Sequence, residues 1–305
     1  MTSTSNKLHN FDVCARLAKE AVSAGAALLA LPECFNYIGR HWRETVEAAE
    51  PLFGPSMQRY QNLAKESGLW LSLGGFQEEV PREPCSHDHH PEDAQSASTT
   101  TTGTTTFDKV FNTHVIISGS GNIEAVYRKI HLFDVNIPGG PVLTESRYTQ
   151  AGREMVVCSG TPAGVLGLST CYDLRFPEMY ACLTGQGSQV LLVPSAFTVP
   201  TGRAHWEVLL RARAIETQAY VLAPAQVGQH SEKRASYGHS LIVDPWGEVL
   251  ADAGGHDSPC IQTAQLELSK IADIRAKMPI AEHRRAAGPL FAEQLLRDAS
   301  GKSAL

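Results

Sequence analysis

Cys171 lies between a short apolar run and a proline, which is a common position for a nucleophilic thiol. Residues 165–168 predict a strand, and Pro177 predicts a helix that ends near Gly185. Backbone amides at such a junction can bind an oxyanion, and the partial positive charge of a helix N-terminus favours the thiolate. Cys171 is therefore a candidate nucleophile, although free cysteines are also common among small buried side chains.

Two further polar residues follow apolar runs in the same way. Glu33 comes after residues 26–31, and Lys129 comes after residues 123–127. Residues just past the strand ends of an α/β sheet gather in the crevice where ligands bind. A carboxylate can accept the proton of a thiol, an ammonium can stabilise an oxyanion, and a cysteine can attack a carbonyl or nitrile carbon. Each residue alone is more often solvated or buried without a catalytic role, but the three together indicate nucleophilic catalysis at such a carbon.

Helical and strand patterns alternate along the chain, so the sequence predicts one α/β domain with mixed sheets. A Gly-Ser-Gly-Asn segment at 119–122 joins two apolar runs and predicts a hairpin. The predicted helices cover residues 6–24, 55–68 and 204–218. The predicted strands include residues 69–73, 110–118, 190–193, 220–223 and 261–266.

Residues 81–106 differ in composition from the rest of the chain. They contain proline, serine, a threonine run and the cluster His87-Asp88-His89-His90. They show no core-forming periodicity, which predicts a low-complexity surface insertion in a single domain that spans residues 1–305. The histidines lack the ligand spacing of a metal site, so we expect no functional metal there.

The composition argues against several classes of protein. Of the 305 residues, 43% are hydrophobic, which is enough for a sizeable core. The formal net charge is −6 and no basic tract is present, so nucleic acids and membranes are not expected partners. No apolar run approaches the roughly 18 residues of a membrane span. The seven cysteines are scattered without CxxC spacing, which favours a reducing compartment over disulfides or structural zinc.

Three blocks of the sequence resemble the signature motifs of the nitrilase, or carbon–nitrogen hydrolase, superfamily. They occur in the family's order, and the resemblance covers nearly the whole chain. It implies an α/β fold in four layers, an αββα sandwich, with no metal or organic cofactor. The blocks are Leu31-Pro32-Glu33, Tyr127-Arg128-Lys129-Ile130-His131-Leu132-Phe133-Asp134 and Cys171-Tyr172-Asp173-Leu174-Arg175-Phe176-Pro177-Glu178.

The resemblance implies a role for each of several residues. Glu33 would act as the general base, Lys129 would stabilise the transition state and Cys171 would be the nucleophile. The family uses a second glutamate downstream of the lysine block, and Glu145 matches that position. The backbone N–H of Tyr172 would bind the oxyanion together with the lysine. From the residues alone, Glu145 is indistinguishable from an ordinary loop carboxylate.

Later blocks resemble the Nit-type branch, and residues 232–240 are closer to the deaminated glutathione amidases than to the ω-amidases. The resemblance implies hydrolysis of the amide in deaminated glutathione to 2-oxoglutarate and cysteinylglycine. An ω-amidase that acts on 2-oxoglutaramate or 2-oxosuccinamate is the nearest alternative. An inactive homologue that serves as a scaffold is an alternative of a different class.

Three further residues are candidates for binding the substrate. Arg175 could bind a substrate carboxylate, because a guanidinium fork matches the geometry of that group. A structural ion pair of Arg175 with Glu178 or Asp173 is an equally good interpretation. Phe197 and Thr198 come just after the strand that follows the nucleophile, so both are expected to line the pocket.

The resemblance also bears on assembly, completeness and location. It implies a homodimer that pairs across helices. The family has a buried strand upstream of the segment matched by residues 1–6, so we expect the first strand to be missing. Loss of three buried aliphatic side chains would cost roughly 5–9 kcal/mol.

The N-terminus has no signal-peptide core, and its early acidic residues disfavour an intact transit peptide. A cytoplasmic location is expected, and a mitochondrial one stays open.

Overall fold

The structure of the protein, a computed structural model, describes residues 1–80, 109–136, 142–256 and 258–284. The predicted insertion at 81–106 lies outside the described residues. The helices are α1 (Lys7–Ser23), α2 (Trp42–Glu47), α3 (Pro55–Ser67), α4 (Pro177–Gly185), α5 (Val199–Thr217) and α6 (Leu268–Lys277). The strands are β1 (Leu28–Leu31), β2 (Trp70–Glu79), β3 (Val110–Ile117), β4 (Ile123–Arg128), β5 (Asp134–Asn136), β6 (Val142–Thr144), β7 (Val157–Thr161), β8 (Gly164–Leu168), β9 (Val190–Leu192), β10 (Tyr220–Ala223), β11 (Val227–Ser231), β12 (Arg234–Tyr237), β13 (Leu241–Val243) and β14 (Val249–Asp252).

The helix ends follow from capping chemistry. Asn6 precedes α1, and its side chain accepts a hydrogen bond of 3.0 Å from the His9 N–H. The helix α3 starts with a proline and ends before Gly68, whose φ of 70° lies in the left-handed region that glycine adopts readily. The helix α5 begins at Val199, earlier than the predicted start at 204, because Pro200 fits the first turn of a helix.

Two sheets carry Glu33, Lys129 and Cys171. The first has the strand order β1-β2-β3-β4, with β1 parallel to β2 and the other neighbours antiparallel. The second has the order β14-β13-β10-β9-β8-β7, in which β8, β9 and β10 run parallel. Parallel neighbours need long crossover connections, and α4 and α5 supply them between β8, β9 and β10. The mixed α/β class predicted from the sequence is confirmed.

Each sheet packs against helices, and the two sheets share a core. The helices α1 and α3 contribute Leu17 and Tyr60 to a buried cluster that also holds Leu71 of the first sheet. A second cluster joins α4, α5 and the second sheet, and it includes Ile116 and Tyr127 of the first sheet. These contacts support the αββα order, and the four-layer arrangement of the sandwich stays a prediction.

The predicted strand at 261–266 is wrong. This segment is irregular and lines, together with residues 26–31, a cleft of about 720 Å³. Among the described strands, β1 pairs only with β2, so the cleft separates the other edge of β1 from residues 261–266. A strand needs a neighbour for its backbone hydrogen bonds, and none of the described strands pairs with this segment. The expected absence of a first strand stays a prediction.

Candidate active site

Glu33, Lys129 and Glu145 form a buried cluster in which one ammonium contacts two carboxylates. The Lys129 Nζ lies 3.2 Å from Glu33 Oε1, and 3.1 and 2.9 Å from the two carboxylate oxygens of Glu145. Only 2% of the Lys129 side chain, 7% of Glu33 and 12% of Glu145 is exposed. The structure thus brings together three of the four side chains that the sequence singles out for catalysis.

The first sheet positions this cluster. Glu33 and Lys129 follow β1 and β4, as the sequence predicts. The pairing of β2 with β3 shifts register between Leu73 and Phe76, which forms a bulge next to Glu33. Within the bulge, Gly75 has a φ of 77°, and a Cβ there would lie only 2.7 Å from Glu33 Cγ. A side chain at this position would displace Glu33, so the close approach requires glycine.

Asn112 connects the two carboxylates, and the sequence analysis missed it. Its Nδ2 donates hydrogen bonds to Glu33 Oε1 at 2.9 Å and to Glu145 Oε1 at 3.3 Å. Its carbonyl oxygen accepts the Lys129 N–H at 2.9 Å. The available signal was a polar amide inside the apolar run 110–118, because a buried amide must find hydrogen-bond partners.

Glu145 is held more firmly than an ordinary loop carboxylate. It begins a short 3-10 turn, and its Oε2 accepts a 2.7 Å hydrogen bond from the Phe133 N–H. Its own N–H donates to the Phe133 carbonyl at 3.3 Å. This exchange of hydrogen bonds fixes the Glu145 carboxylate beside the Lys129 ammonium.

Cys171 presents its thiol to the cluster from the second sheet. It begins a 3-10 turn at 171–175 and has a φ of 50°. Its N–H donates to the Pro194 carbonyl at 2.9 Å. Its thiol lies close enough to Glu33, Lys129 and the Ala196 N–H for all three to influence its pKa. A left-handed conformation costs a non-glycine residue on the order of 1–3 kcal/mol, so the surroundings must hold this turn.

Tyr172 directly follows the thiol. N–H groups in the first turn of a helix lack intrahelical acceptors, so the Tyr172 N–H is suited to bind an oxyanion next to Cys171. The Tyr172 ring packs edge-on against Phe133 with centroids 4.9 Å apart, which steadies this backbone. The oxyanion role of Tyr172 stays a prediction.

The charged groups of the cluster stabilise one another against burial. Burial lowers the pKa of Lys129, but Glu145 and Glu33 outweigh it, so the pKa of Lys129 lies well above its ordinary value of 10.5. Burial raises the pKa of Glu33, but Lys129 and the hydrogen bonds to the carboxylate outweigh it, so this pKa lies below its ordinary value of 4.5. The resting site therefore holds a carboxylate and an ammonium side by side.

The thiol of Cys171 is protonated in this resting site. Burial, and then the charge of Glu33, raises the pKa of Cys171 well above its ordinary value of 9.0, although Lys129 and the Ala196 N–H act in the opposite direction. The prediction that the junction favours a thiolate is therefore wrong for the resting site. A neutral thiol needs a base at the moment of attack, and the Glu33 carboxylate is in position to accept the proton.

Asp173 ties the turn of the nucleophile to the segment of the lysine. Its carboxylate is fully buried, and Oδ2 accepts the Thr170 N–H at 2.8 Å and the Tyr127 hydroxyl at 2.6 Å. Its Oδ1 accepts the His131 N–H at 3.0 Å and lies 2.8 Å from Nδ1 of the same residue. Tyr127 and His131 flank Lys129, so one carboxylate fixes the two halves of the site to each other.

Arg175 takes part in none of the ion pairs among the described residues, so the alternative pairing with Glu178 or Asp173 is not observed. Both terminal nitrogens of its guanidinium lie 3.3 Å from His205 Nδ1, and its Cζ lies 5.7 Å from the centroid of the Phe197 ring. A guanidinium without an acidic partner can accept a carboxylate, which supports the predicted role of Arg175.

Phe197 and Thr198 border the region of Arg175. The Phe197 ring is only 7% exposed and packs against Trp206, with ring centroids 4.8 Å apart. Thr198 precedes α5, and its hydroxyl lies 2.8 Å from the hydroxyl of Thr201. Phe197 therefore contacts Arg175 from a largely buried position. The predicted contacts of both residues with substrate stay predictions.

Three residues on the Glu33 side of the cluster were also missed: Cys34, Tyr148 and Arg234. Burial, and then Glu33, raises the pKa of Cys34 to about 12, and burial, and then Glu145, raises the pKa of Tyr148 to about 12. Burial lowers the pKa of Arg234, but the neighbouring Cys34, Tyr148 and Glu33 outweigh it, so this pKa lies above its ordinary value. The only sequence signal was that Cys34 follows Glu33.

We expect Glu145→Gln to reduce turnover about 100-fold or more, because Lys129 loses its principal negative partner. Among the charges that raise the pKa of Lys129, that of Glu145 acts most strongly, so its removal lowers this pKa. The alkaline limb of kcat/KM against pH therefore moves to lower pH in the variant. The exposed Glu47→Gln substitution is the matched control. A variant with reduced turnover but an unmoved alkaline limb would contradict the electrostatic role.

Two observations concern the described parts of the chain only. No group of three or more His, Cys, Asp or Glu side chains there is arranged to hold a metal ion. No helix in these ranges is both long enough and apolar enough to cross a membrane.

Known proteins share both the sequence and the fold. The profile of the carbon-nitrogen hydrolase family matches residues 1–276. The human protein named deaminated glutathione amidase is 46% identical over 285 residues, which are 93% of this chain and 80% of that protein. The protein of the same name from Dictyostelium discoideum is 44% identical over 290 residues, 93% of this chain and 91% of that protein. The crystal structure of the Caenorhabditis elegans NitFhit protein superposes with a TM-score of 0.80 at 40% identity, over 93% of this chain and 63% of that chain.

These similarities confirm the family predicted from the three signature blocks. The family profile covers nearly the whole described fold, including both sheets and the buried cluster. This chain therefore belongs to the carbon-nitrogen hydrolase family, and it is an enzyme that hydrolyses amides.

Proposed function

We propose that the enzyme hydrolyses the amide bond of deaminated glutathione and releases 2-oxoglutarate and cysteinylglycine. The observation that carries the proposal is the buried cluster of Glu33, Lys129 and Glu145, whose charges act on the nearby thiol of Cys171. The choice of substrate is supported by the relatives named deaminated glutathione amidase, which are 46% and 44% identical to this chain.

Acylation begins from the neutral thiol. Glu33 accepts the proton of the Cys171 thiol as the sulfur forms a bond to the amide carbon. The carbonyl electron pair moves onto oxygen, and the Lys129 ammonium and the Tyr172 N–H stabilise this oxyanion. When the carbonyl reforms, the carbon–nitrogen bond breaks and Glu33 gives the proton to the leaving nitrogen. Cysteinylglycine departs, and a 2-oxoglutaryl thioester remains on Cys171.

Deacylation uses the same base a second time. Glu33 takes a proton from water as the hydroxide oxygen attacks the thioester carbon. The Lys129 ammonium and the Tyr172 N–H again stabilise the oxyanion. The carbon–sulfur bond then breaks, the sulfur takes the proton back from Glu33, and 2-oxoglutarate leaves. One carboxylate that is ionised at rest and close to the thiol is sufficient for both half-reactions.

The proposed substrate is tested by following the release of 2-oxoglutarate from deaminated glutathione and, in parallel, the release of ammonia from 2-oxoglutaramate. We expect kcat/KM to be higher for deaminated glutathione. A clear preference for 2-oxoglutaramate would replace the proposal with the ω-amidase function. Folded protein that turns over neither compound would favour the scaffold alternative, against which the intact cluster of four side chains argues.

We also propose that the enzyme is a homodimer located in the cytoplasm. The family resemblance supports the dimer, and the seven scattered cysteines support a reducing compartment. Light scattering coupled to size-exclusion chromatography measures the mass in solution. A mass equal to that of one chain would contradict the dimer.

A further inference from the structure

His114 is a fully buried histidine that the reaction scheme does not use. It lies in β3, on the same face as Asn112 and Ile116, because side chains along a strand alternate between its two faces. Ile116 belongs to the apolar cluster of the second sheet, whereas Val115 and Ile117 belong to the cluster with α1 and α3. The face of β3 that carries His114 therefore points to the second sheet.

Both ring nitrogens of His114 have hydrogen-bond partners. Nδ1 lies 3.0 Å from the carbonyl oxygen of Ser169, and Nε2 lies 2.7 Å from the Ser72 hydroxyl. A carbonyl oxygen can only accept a hydrogen bond, so Nδ1 carries a proton and donates to Ser169. Burial lowers the pKa of His114 to about 4, although the Ser169 carbonyl and Asp173 act in the opposite direction, so the ring is neutral near neutral pH. Nε2 of a neutral ring with this tautomer accepts a hydrogen bond from Ser72.

Ser169 directly follows β8 and precedes the nucleophile by two residues. Its N–H and its hydroxyl both donate to the Leu192 carbonyl, at 3.2 and 2.8 Å, and its hydroxyl lies 2.8 Å from that of Tyr180. Two residues later, the Cys171 N–H donates to the Pro194 carbonyl at 2.9 Å. The second sheet thus holds the N–H groups of this segment, whereas the donor to the Ser169 carbonyl comes from the first sheet.

The contact of His114 with this segment is important because Cys171 has an unfavourable backbone conformation. Its φ of 50° lies in the left-handed region, which persists in a non-glycine residue only where the surroundings fix it. Asn112, on the same face of β3, donates hydrogen bonds to the carboxylates of Glu33 and Glu145. The strand β3 therefore contacts the carboxylates through Asn112 and the segment of the nucleophile through His114.

We propose that His114 is a positioning residue, because the hydrogen bond from its Nδ1 to the Ser169 carbonyl holds the Cys171 thiol within reach of the base. Asp173 fixes the turn that begins with the thiol, and His114 fixes the segment that precedes it. This inference rests on the nucleophile of the proposed function, but not on the identity of the substrate. A misplacement of about 1 Å can lower a rate about 100-fold, so loss of this hydrogen bond should lower kcat by about 10- to 100-fold and change KM little.

Two variants separate the two contacts of the imidazole. In His114→Asn, the amide nitrogen takes the position of Nδ1 and keeps a donor for the Ser169 carbonyl. In His114→Gln, the longer amide takes the position of Nε2 and keeps the contact with Ser72. Both variants replace the ring by a buried amide, so each is the matched control of the other.

We expect His114→Asn to keep kcat within about threefold of wild type and His114→Gln to lower it by about 10- to 100-fold, with KM changed little in both. Rates are measured at a temperature at which thermal melts show that all three proteins are folded. Alkylation of Cys171 by iodoacetamide supplies a second measurement that needs no substrate, and it should be slowed only in His114→Gln. A role in stability alone would lower the melting temperature of both variants and leave kcat unchanged.

NMR of wild-type enzyme with isotopically labelled histidine nitrogens tests the hydrogen bond without a substitution. We expect His114 to have a protonated Nδ1 and an unprotonated Nε2 near neutral pH. With the opposite tautomer, Nδ1 could not donate to Ser169, and the inference would be overturned whether or not the variants fold.

The remaining outcomes separate the inference from the proposed function. Equal losses of kcat in His114→Asn and His114→Gln, or wild-type kcat in both, would overturn the positioning role and leave the function in place. Failure of folded wild-type enzyme to release 2-oxoglutarate from deaminated glutathione would overturn the proposed substrate alone. The alkylation of Cys171 and the tautomer of His114 would still decide the inference.

Discussion

Replacing Cys171 by alanine is expected to reduce the release of 2-oxoglutarate by about 10⁴-fold or more, because removal of the nucleophile ends the covalent route. The alanine side chain fits the site, and the main-chain contact of residue 171 with the Pro194 carbonyl does not depend on the thiol. The variant should therefore fold. Initial rates at saturating substrate measure the loss, and circular dichroism with a thermal melt shows that the fold is retained.

The matched control is Cys182→Ala, which removes an exposed thiol on α4. This variant should retain wild-type turnover. Mass spectrometry of wild-type enzyme quenched during turnover should detect the 2-oxoglutaryl group on the peptide that contains Cys171. Acylation of a different cysteine, or near-normal turnover by Cys171→Ala, would contradict the assignment of the nucleophile.

The catalytic positions could be predicted because each follows an apolar run that forms a strand. Glu33, Lys129 and Cys171 follow the C-terminal ends of β1, β4 and β8. The position of a residue relative to a strand end limits the directions in which its side chain can point. Glu145 needed the family resemblance, because a loop residue carries no periodic signal. Its hydrogen bonds to Phe133 become visible only when the chain is folded.

Other residues of the site could not be predicted, for two physical reasons. Asn112 reaches the cluster through the pairing of β3 with β2, in which it lies opposite Gln77, and a single sequence does not reveal such a pairing. The protonation of Cys171 was also predicted wrongly, because burial and the charge of Glu33 outweigh the local effect of the helix start. The hydrophobic pattern of the sequence predicts where a residue lies in a strand or helix. The pKa of its side chain depends on charges and burial that only the whole fold determines.

The electrostatic effect of Glu33 on Cys171 makes Glu33→Gln a test that separates base catalysis from a structural role. Glutamine keeps the shape of the side chain but cannot accept a proton, so we expect turnover to fall about 10²- to 10⁴-fold. The variant also loses the charge that raises the pKa of Cys171, while the Lys129 ammonium remains beside the sulfur. The pKa of Cys171 should therefore fall, and alkylation of this thiol at neutral pH should become faster as turnover becomes slower.

Opposite changes in the two measurements would be hard to explain by damage to the site. Turnover is followed by the release of 2-oxoglutarate, and alkylation by iodoacetamide is followed at the peptide that contains Cys171. Glu66→Gln, an exposed substitution on α3, is the matched control and should change neither rate. If Glu33 only maintained the geometry of the site, its loss would slow both turnover and alkylation. A displaced thiol would be less accessible to iodoacetamide as well as to substrate. Faster alkylation of Cys171 together with slower turnover therefore identifies Glu33 as the proton acceptor. In that role the carboxylate charge raises the pKa of the thiol, and the same carboxylate accepts the thiol proton during the reaction.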